Sequence, residues 1–241
     1  MEKECRVCSL SIISISNYAI CLSGCFLDQN LPKKYLRNIY AGNKWGGEHS
    51  VSGPGSELDQ TRAISEELPS ILHDLDIQTV LDIPCGDFHW MKHVDLNGIG
   101  YTGADIVPNL IHDNRTKYER ENVKFLVANL INDKLPKVDL ILCRDCVVHL
   151  SFKDIFLALH NVCDSGSKYL LTTTFTSRKH NHDIATGQWR ALNMKAAPFM
   201  LPEPLKTISE HSTEGNGAHK DKALALWKIS DLEVRLNKPV I

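Results

Sequence analysis

The most informative segment of the chain is Val80-Leu81-Asp82-Ile83-Pro84-Cys85-Gly86-Asp87-Phe88. It begins as a short apolar run and passes directly into Pro84 and Gly86, two residue types that are typical of turns. An apolar run of this length with turn residues behind it is typical of a fully buried strand in a parallel sheet. We therefore predict a strand over 79–83 that ends on a tight turn. Ligands of such sheets bind beyond the carboxyl ends of the strands, so this turn is the first candidate for a site.

Strands and helices alternate along the rest of the chain. Apolar β-rich runs predict strands at 100–105, 123–128, 138–143, 168–175, 206–209 and 223–228. Helical spacing and capping residues predict helices at 56–75 (with Ser56 and Asp59 as a capping box), at 87–96, from Pro108, and at 151–163. This order indicates right-handed βαβ units, with a turn at 215–217 between the last two strands. The predicted fold is α/β: a Rossmann-like three-layer sandwich with a mostly parallel seven-stranded sheet and an antiparallel last strand.

The composition is that of an ordinary globular protein with almost no net charge. Of the 241 residues, 27 are Lys or Arg and 29 are Asp or Glu, which gives a net charge of −2. Proteins that hold a phosphate backbone usually carry a basic stripe, so we expect no nucleic-acid partner. The apolar fraction of 43% excludes an intrinsically disordered chain. The eight cysteines are few and unevenly spaced for a secreted disulfide framework, so we expect a reduced, cytoplasmic protein.

Residues 1–30 form an N-terminal extension that we separate from a domain over 31–241. The segment 7–27 is apolar but diluted by serines, which argues against a membrane-spanning helix. Three interpretations stay open: a loose or packed segment, a lipoprotein-like signal or anchor that would bring membrane association, and a zinc site. The zinc interpretation depends on the spacing of Cys5, Cys8, Cys21 and Cys25. In the rest of the chain we predict no metal site.

The strand, acid and turn at 80–88 resemble motif I of class I S-adenosylmethionine-dependent methyltransferases. In that motif a tight turn lets the backbone approach the methionine moiety, and an acid lies near its ammonium group. Gly86 keeps the central glycine, whereas Pro84 and Phe88 replace the outer two. Asp105 ends the next strand. Its distance in sequence from motif I is close to the one at which an acid accepts the ribose hydroxyls of a cofactor. The turn lacks the G-x-G-x-x-G pattern of a dinucleotide loop, which weakens the interpretation as an NAD(P)-dependent oxidoreductase.

The resemblance covers about residues 44–230 and implies a site for S-adenosylmethionine. Its third-strand segment is 127–130, where Asn129 stands at a position that is commonly Asp in the family. A likeness to a bacterial subgroup without an assigned acceptor is carried by 45–46, 52–56, 82–90, 143–145 and 189–193. The cofactor-binding residues that the resemblance implies are Asp82, Pro84, Cys85, Gly86, Asp87, Asp105, Ile106, Asn129, Leu130, Cys143 and Arg144.

The methyl acceptor is expected to bind beyond the same strand ends. His149 follows the fourth strand, where many small-molecule methyltransferases place a histidine that faces the methyl group, and Asp145 is close enough in sequence to orient it. An imidazole has a pKa near working pH, so we predict His149 and Asp145 as catalytic residues, with a structural histidine as the alternative. The loop 176–193 is long and polar, and loops of this kind are often functional. The predicted acceptor-pocket residues are Trp45, Arg178, Trp189 and Arg190.

The function predicted from these motifs is methyl transfer from S-adenosylmethionine to an oxygen or nitrogen of a small polar acceptor. The Asn/Asp-Pro-Pro-aromatic segment of nucleic-acid amino-methyltransferases is absent after the fourth strand, which favours a small acceptor. The glycine-rich segment 44–56 predicts a mobile flap that closes over the cofactor. The alternatives are a methyltransferase-like domain that binds cofactor without chemistry and an NAD(P)-dependent oxidoreductase.

Overall fold

The structure is a computed structural model that describes residues 46–236. One seven-stranded sheet has the order β3-β2-β1-β4-β5-β7-β6. Its strands are β1 Thr79–Asp82, β2 Gly100–Asp105, β3 Val123–Val127, β4 Leu140–Cys143, β5 Tyr169–Phe175, β6 Lys206–Ser209 and β7 Lys222–Lys228. The helices are α1 Leu58–Asp74, α2 Pro108–Tyr118, α3 Phe152–Asp164 and α4 Ile229–Leu236. Strands β1 to β5 are parallel and β7 is antiparallel to both of its neighbours, so the predicted fold is confirmed.

The apolar side chains of the central strands alternate between two cores, one on each face of the sheet. On β1, Val80 packs in one core and Leu81 packs in the other. The Val80 core also contains Ile64 of α1, and the Leu81 core contains Ile155 of α3 and Leu232 of α4. Because successive side chains of a strand point to opposite faces, a continuous apolar run is what a sheet covered on both faces requires.

The start of α1 differs from the sequence prediction. The N-cap is Glu57 rather than Ser56, and no side chain caps the helix, so the capping-box prediction is wrong. The Glu57 carboxylate instead turns back and accepts the backbone N–H groups of His49 and Ser50, at 2.8 and 3.2 Å. Ser56 belongs to a short 3-10 turn, Pro54–Ser56. The acid thus ties down the glycine-rich segment in front of the helix.

The predicted helix over 87–96 is also wrong, because only a short 3-10 turn, Met91–His93, is present there. Phe88 has a left-handed φ of 58°, which interrupts helical backbone directly after the motif I turn. Its ring is buried against Tyr101, Tyr118 and Phe125 at centroid distances of 5.2 to 5.3 Å, and this packing accounts for the departure. No α-helix N-terminus therefore follows the turn, and a dinucleotide pyrophosphate would need one.

The end of the sheet agrees with the prediction in most details. Ser151 caps α3 by accepting the backbone N–H of Asp154 at 3.2 Å. Between β5 and β6, residues 176–205 form a long connection without helix or strand.

Within the described part of the chain, no helix combines the length and apolar character needed to cross a membrane. The extension 1–30 with its four cysteines and Trp45 lie outside the described residues.

Candidate active site

A cavity of about 690 Å³ lies at the carboxyl ends of the parallel strands. One side is formed by the motif I turn and by the residues that follow β2 and β3. The other side is formed by residues after β4 and by the loops at 186–189 and 214–222. The sequence-predicted residues that line it are Asp82, Pro84, Cys85, Gly86, Asp87, Asp105, Ile106, Asn129, Leu130, Arg144, Asp145, His149 and Trp189.

The motif I turn is held in a shape that excludes a side chain at Gly86. Gly86 has a φ of +55°, and a Cβ atom at this position would lie 2.3 Å from Oγ of Ser52. The turn is fixed from below by the Cys85 backbone N–H, which donates to the Ala104 carbonyl at 2.8 Å. Nδ2 of Asn114 donates to the Gly86 carbonyl at 2.7 Å. Glycine is therefore required here by both conformation and close approach.

Two buried carboxylates, Asp82 and Asp105, stand at the ends of β1 and β2. Burial raises the pKa of Asp82 to about 7, although the Tyr101 hydroxyl donates to it at 2.6 Å and Arg144 acts in the same lowering direction. Burial likewise raises the pKa of Asp105 to about 6, against backbone N–H groups that include Val107 at 3.0 Å. The hydrogen bonds and charges around these two carboxylates do not fully offset the cost of burying their ionised forms. The pair is therefore suited to a ligand that brings a cation and hydroxyl donors.

The segment 50–56 forms a roof over the motif I turn and is attached at two points. The carboxylate of Asp87 accepts hydrogen bonds from the Ser50 hydroxyl at 3.0 Å, the Val51 backbone N–H at 2.9 Å and the Ser52 hydroxyl at 3.1 Å. At the other end, Nη2 of Arg144 donates to the Gly55 carbonyl at 2.7 Å. Asp87 thus lines the cavity but directs its carboxylate to the roof.

We predict that Asp87→Ala releases this roof. Hydrogen bonds to a charged group contribute about 1.5–3 kcal/mol each, so the loss of the shared acceptor should raise local opening at least tenfold. A glutamate-specific protease should then cleave after the exposed Glu48 at least tenfold faster than in wild type. S-adenosylhomocysteine should slow cleavage in both proteins if 44–56 closes over the cofactor. Asp95→Ala, which removes a carboxylate from a surface turn, is the control. Equal cleavage of wild type and Asp87→Ala would contradict the attachment, and cleavage unaffected by ligand would contradict the flap.

A cluster of five charged side chains lies beside the roof. Nη2 of Arg144 lies 2.7 Å from Oε2 of Glu210, and its Nη1 lies 3.3 Å from Oδ2 of Asp145. Nζ of Lys222 lies 2.7 Å from Oδ2 of Asp145 and 3.1 Å from Oε2 of Glu214. Burial acts to raise the pKa of Asp145, but Arg144 and Lys222 dominate and lower it to about 2. Asp145 therefore stays ionised and is unsuited to act as a general base.

His149 ends a short 3-10 turn, Val147–His149, that follows β4 in the chain. Its Nδ1 lies 2.9 Å from the carbonyl oxygen of Gln188. Because a carbonyl only accepts, Nδ1 carries a proton, and Nε2 is the basic nitrogen of the neutral ring. Burial lowers the pKa of His149 below 6.5, while the Gln188 carbonyl and Asp145 oppose that change. The ring is therefore neutral at pH 7 and able to accept a proton.

Two predicted acceptor-pocket residues, Arg178 and Arg190, do not line the cavity, contrary to the sequence prediction. Arg178 forms an ion pair with Asp221 at 3.0 Å. Arg190 is buried, and its guanidinium donates to the carbonyls of Val147 at 3.0 Å and Leu150 at 2.7 Å. Arg190 thereby fixes the turn that carries His149, which makes it a positioning residue. The same reason explains why neither arginine faces the cavity. Each guanidinium group already donates to carboxylate or backbone carbonyl partners elsewhere.

Cys143, predicted to contact cofactor, lies 2% exposed in one core of the sheet and does not line the cavity. Sequence reasoning missed several residues that form the site or its charged cluster: Trp90, Phe175, Glu210, Glu214, His219 and Lys222. The position of Glu210 in the sequence could have indicated a place at the site. It is an acid directly after β6, just as Asp82 and Asp105 are acids at the ends of β1 and β2. Among the described residues, no group of three or more His, Cys, Asp or Glu side chains is placed to hold a metal ion.

Residues 81–171 match the family model described as a methyltransferase domain. The matched segment runs from β1 to β5 and contains Asp82, Gly86, Asp105 and His149. Together with the sheet order, this match indicates a Rossmann-like methyltransferase fold. No curated protein matches the chain by sequence.

Solved structures of methyltransferases share the fold. The 1,6-didemethyltoxoflavin-N1-methyltransferase of Burkholderia thailandensis, with bound 1,6-didemethyltoxoflavin and S-adenosylhomocysteine, is 15% identical, with a TM-score of 0.58 over 81% of this chain and 87% of that chain. The N-methyltransferase NodS of Bradyrhizobium japonicum WM9, in complex with S-adenosylhomocysteine, is 12% identical, with a TM-score of 0.56 over 79% and 98%. Human N-acetylserotonin methyltransferase, in complex with S-adenosylmethionine, is 10% identical, with a TM-score of 0.53 over 82% of this chain and 56% of that chain. This chain therefore spans little more than half the length of the human enzyme.

Proposed function

We propose that the protein methylates a nitrogen or oxygen of a small polar acceptor inside this cavity. The observation that carries the proposal is that one cavity joins the buried pair Asp82 and Asp105 to the neutral base His149. The structures with bound small ligands, such as the toxoflavin methyltransferase, support an acceptor of similar kind. The four cysteines of the described part are free thiols, which supports a reduced, cytoplasmic setting.

The residues at the motif I end fit S-adenosylmethionine. Asp82 would face its ammonium group, Asp105 would accept the ribose hydroxyls, and Asn129 would lie near the adenine. The raised pKa values of both carboxylates support this assignment, because a cation and hydroxyl donors would favour the ionised forms. When bound, S-adenosylmethionine supplies a methyl group activated by a positively charged sulfur. The NAD(P) alternative lacks support here, because no α-helix N-terminus follows the turn.

The residues of the other end provide positioning and proton transfer. His149 would take the proton that the acceptor loses, at Nε2, while the Gln188 carbonyl holds the opposite nitrogen. Arg190 holds the turn beneath His149, and the roof at 50–56 would exclude water from the reacting groups. Positioning and exclusion of water are the main contributions that a direct displacement needs from a protein. A domain that bound cofactor without chemistry would have no need of a neutral histidine at this place.

We predict that Asp105→Ala weakens S-adenosylhomocysteine binding by about 10- to 150-fold. The variant loses a charged hydrogen-bond acceptor, which is worth about 1.5–3 kcal/mol. Isothermal titration of wild type, Asp105→Ala and the surface control Asp95→Ala measures the effect, and circular dichroism verifies the fold. A folded Asp105→Ala protein that binds with wild-type affinity would refute the ribose assignment. Release of S-adenosylhomocysteine during incubation with acceptor mixtures separates an enzyme from a cofactor-binding domain.

A further inference from the structure

In the charged cluster beside the roof, two of the carboxylates are more exposed than the cations. The cluster holds three carboxylates, from Asp145, Glu210 and Glu214, against the two cations of Arg144 and Lys222. Both cations are only 4% exposed in their side chains and Glu210 is fully buried, whereas Asp145 and Glu214 are 28% and 27% exposed. A ligand in the cavity therefore meets a surplus of negative charge on this side.

An aromatic wall adjoins these carboxylates. The wall consists of Phe175, Trp189 and His219, with the Trp189 and His219 rings 4.8 Å apart and the Phe175 and His219 rings 5.8 Å apart. Trp189 is 46% exposed, although it is a large apolar side chain. Nδ1 of His219 is buried and has no hydrogen-bond partner in the part of the chain that is described. The exposed Trp189 ring offers a contact surface to a ligand with an apolar body.

The wall and the carboxylates are parts of one surface. Glu214 and Gly215 belong to the same 3-10 turn, and a Cβ atom on Gly215 would lie 3.0 Å from Nε2 of His219. A Cβ atom on Gly55 of the roof would lie 3.2 Å from Oδ2 of Asp145 and 3.3 Å from Oε2 of Glu214. The roof thus lies directly against the two carboxylates, because Gly55 has no side chain to separate them.

We propose that the acceptor is an amine that is a cation in solution, bound with its charge toward Asp145 and Glu214 and its apolar body on Trp189. This proposal rests on the proposed methyl transfer. Cations are attracted to carboxylates and to the face of Trp, whereas a phenolate or carboxylate acceptor would be repelled. Outside the cluster, the charged residues that line the cavity are Lys153, Asp154 and the three acids of the motif I end, Asp82, Asp87 and Asp105, so together these groups add no net positive charge.

The charge balance of the reaction fits this arrangement. The ammonium loses one proton to Nε2 of His149, and the freed lone pair forms the new N–C bond. The C–S bond breaks with its electron pair going to sulfur, so the positive charge moves from sulfur to the acceptor nitrogen. His149 then passes its proton to water. Carboxylates near that nitrogen stabilise the charge that develops there, as preorganised groups do at a transition state.

The test uses three series of compounds with the same body and different ends. They are 2-phenylethylamine, 2-phenylethanol and phenylacetate; tryptamine, tryptophol and indole-3-acetate; and 2-cyclohexylethylamine with its alcohol and acid. Each is titrated into the full chain saturated with S-adenosylhomocysteine. We expect at least one amine to bind at least tenfold tighter than its matched alcohol and acid. The proposal is overturned if S-adenosylhomocysteine binds and no amine of the three series binds tighter than its matched alcohol and acid. Failure of S-adenosylhomocysteine itself to bind would instead refute the proposed function.

Variants test the surface directly. Glu214→Gln should weaken the best amine at least fivefold and leave the affinity for S-adenosylhomocysteine unchanged. Glu203→Gln removes a carboxylate that is far more exposed than Glu214 and lies outside the cavity. It should change neither the affinity for the amine nor the affinity for S-adenosylhomocysteine. Trp189→Leu should weaken the amine and Trp189→Phe should restore most of the affinity. An amine affinity that is the same in wild type, Glu214→Gln and Trp189→Leu overturns the proposal.

Discussion

His149→Ala is expected to lower turnover by about 10²- to 10⁴-fold and to leave the affinity for S-adenosylhomocysteine nearly unchanged. The reason is that Nε2 is the basic nitrogen of a ring held by the Gln188 carbonyl, on the side of the cavity where we propose that the acceptor binds. The measurement compares turnover, with an acceptor found by S-adenosylhomocysteine release, and cofactor affinity in both proteins. His160→Ala, which removes an exposed histidine from α3, is the matched control.

The pH profile provides an independent readout for the same residue. A general base works only when it is deprotonated, and burial lowers the pKa of His149. Wild-type turnover should therefore stay constant around pH 7 and fall as the pH drops through a value below 6.5. This acidic limb should disappear from the residual activity of His149→Ala. Undiminished turnover in the variant would remove His149 from the mechanism, and a collapse of cofactor affinity would make the residue structural.

Glu210→Ala is expected to lower the free energy of unfolding by about 3–5 kcal/mol. Glu210 is fully buried, and its carboxylate neutralises Arg144 at 2.7 Å and Lys222 at 3.4 Å. Its removal leaves two nearly buried cations with less compensation, and breaking a buried ion pair from one side costs about this amount. Urea unfolding of wild type and variant measures the difference.

The control for this prediction is Glu203→Ala. Glu203 also forms an ion pair, with Lys195 at 2.6 Å, but its side chain is 80% exposed. Pairs exposed to water contribute about 1 kcal/mol or less, so this variant should remain close to wild type. If Glu210→Ala and Glu203→Ala were equally stable, the cluster would have no structural role. Because Arg144 also holds the Gly55 carbonyl, Glu210→Ala should in addition speed protease cleavage after Glu48.

The part of the fold that sequence patterns predicted is the part decided by local chemistry. Apolar runs such as Leu140–Cys143 alternate with helical segments, and this alone specifies strands, helices and their order. The sequence also predicts that Asp82 and Asp105, the acids at strand ends, lie at one site, because the carboxyl ends of parallel strands meet at one edge of the sheet. Where tertiary packing overrode local preference, as at Phe88, the prediction of a helix failed.

Local sequence patterns suffice to predict the layered α/β fold, the motif I turn at the end of β1 and the place of His149 after β4. The charged cluster in and beside the cavity, by contrast, depends on contacts between distant segments. The tertiary structure brought Arg144 to Glu210 and Lys222 to Asp145 and Glu214, across separations of up to 77 residues. It also removed Arg178 and Arg190 from the cavity. The physical reason is that periodicity records which face of an element is buried, whereas the partner of a buried charge depends on which distant segments meet there.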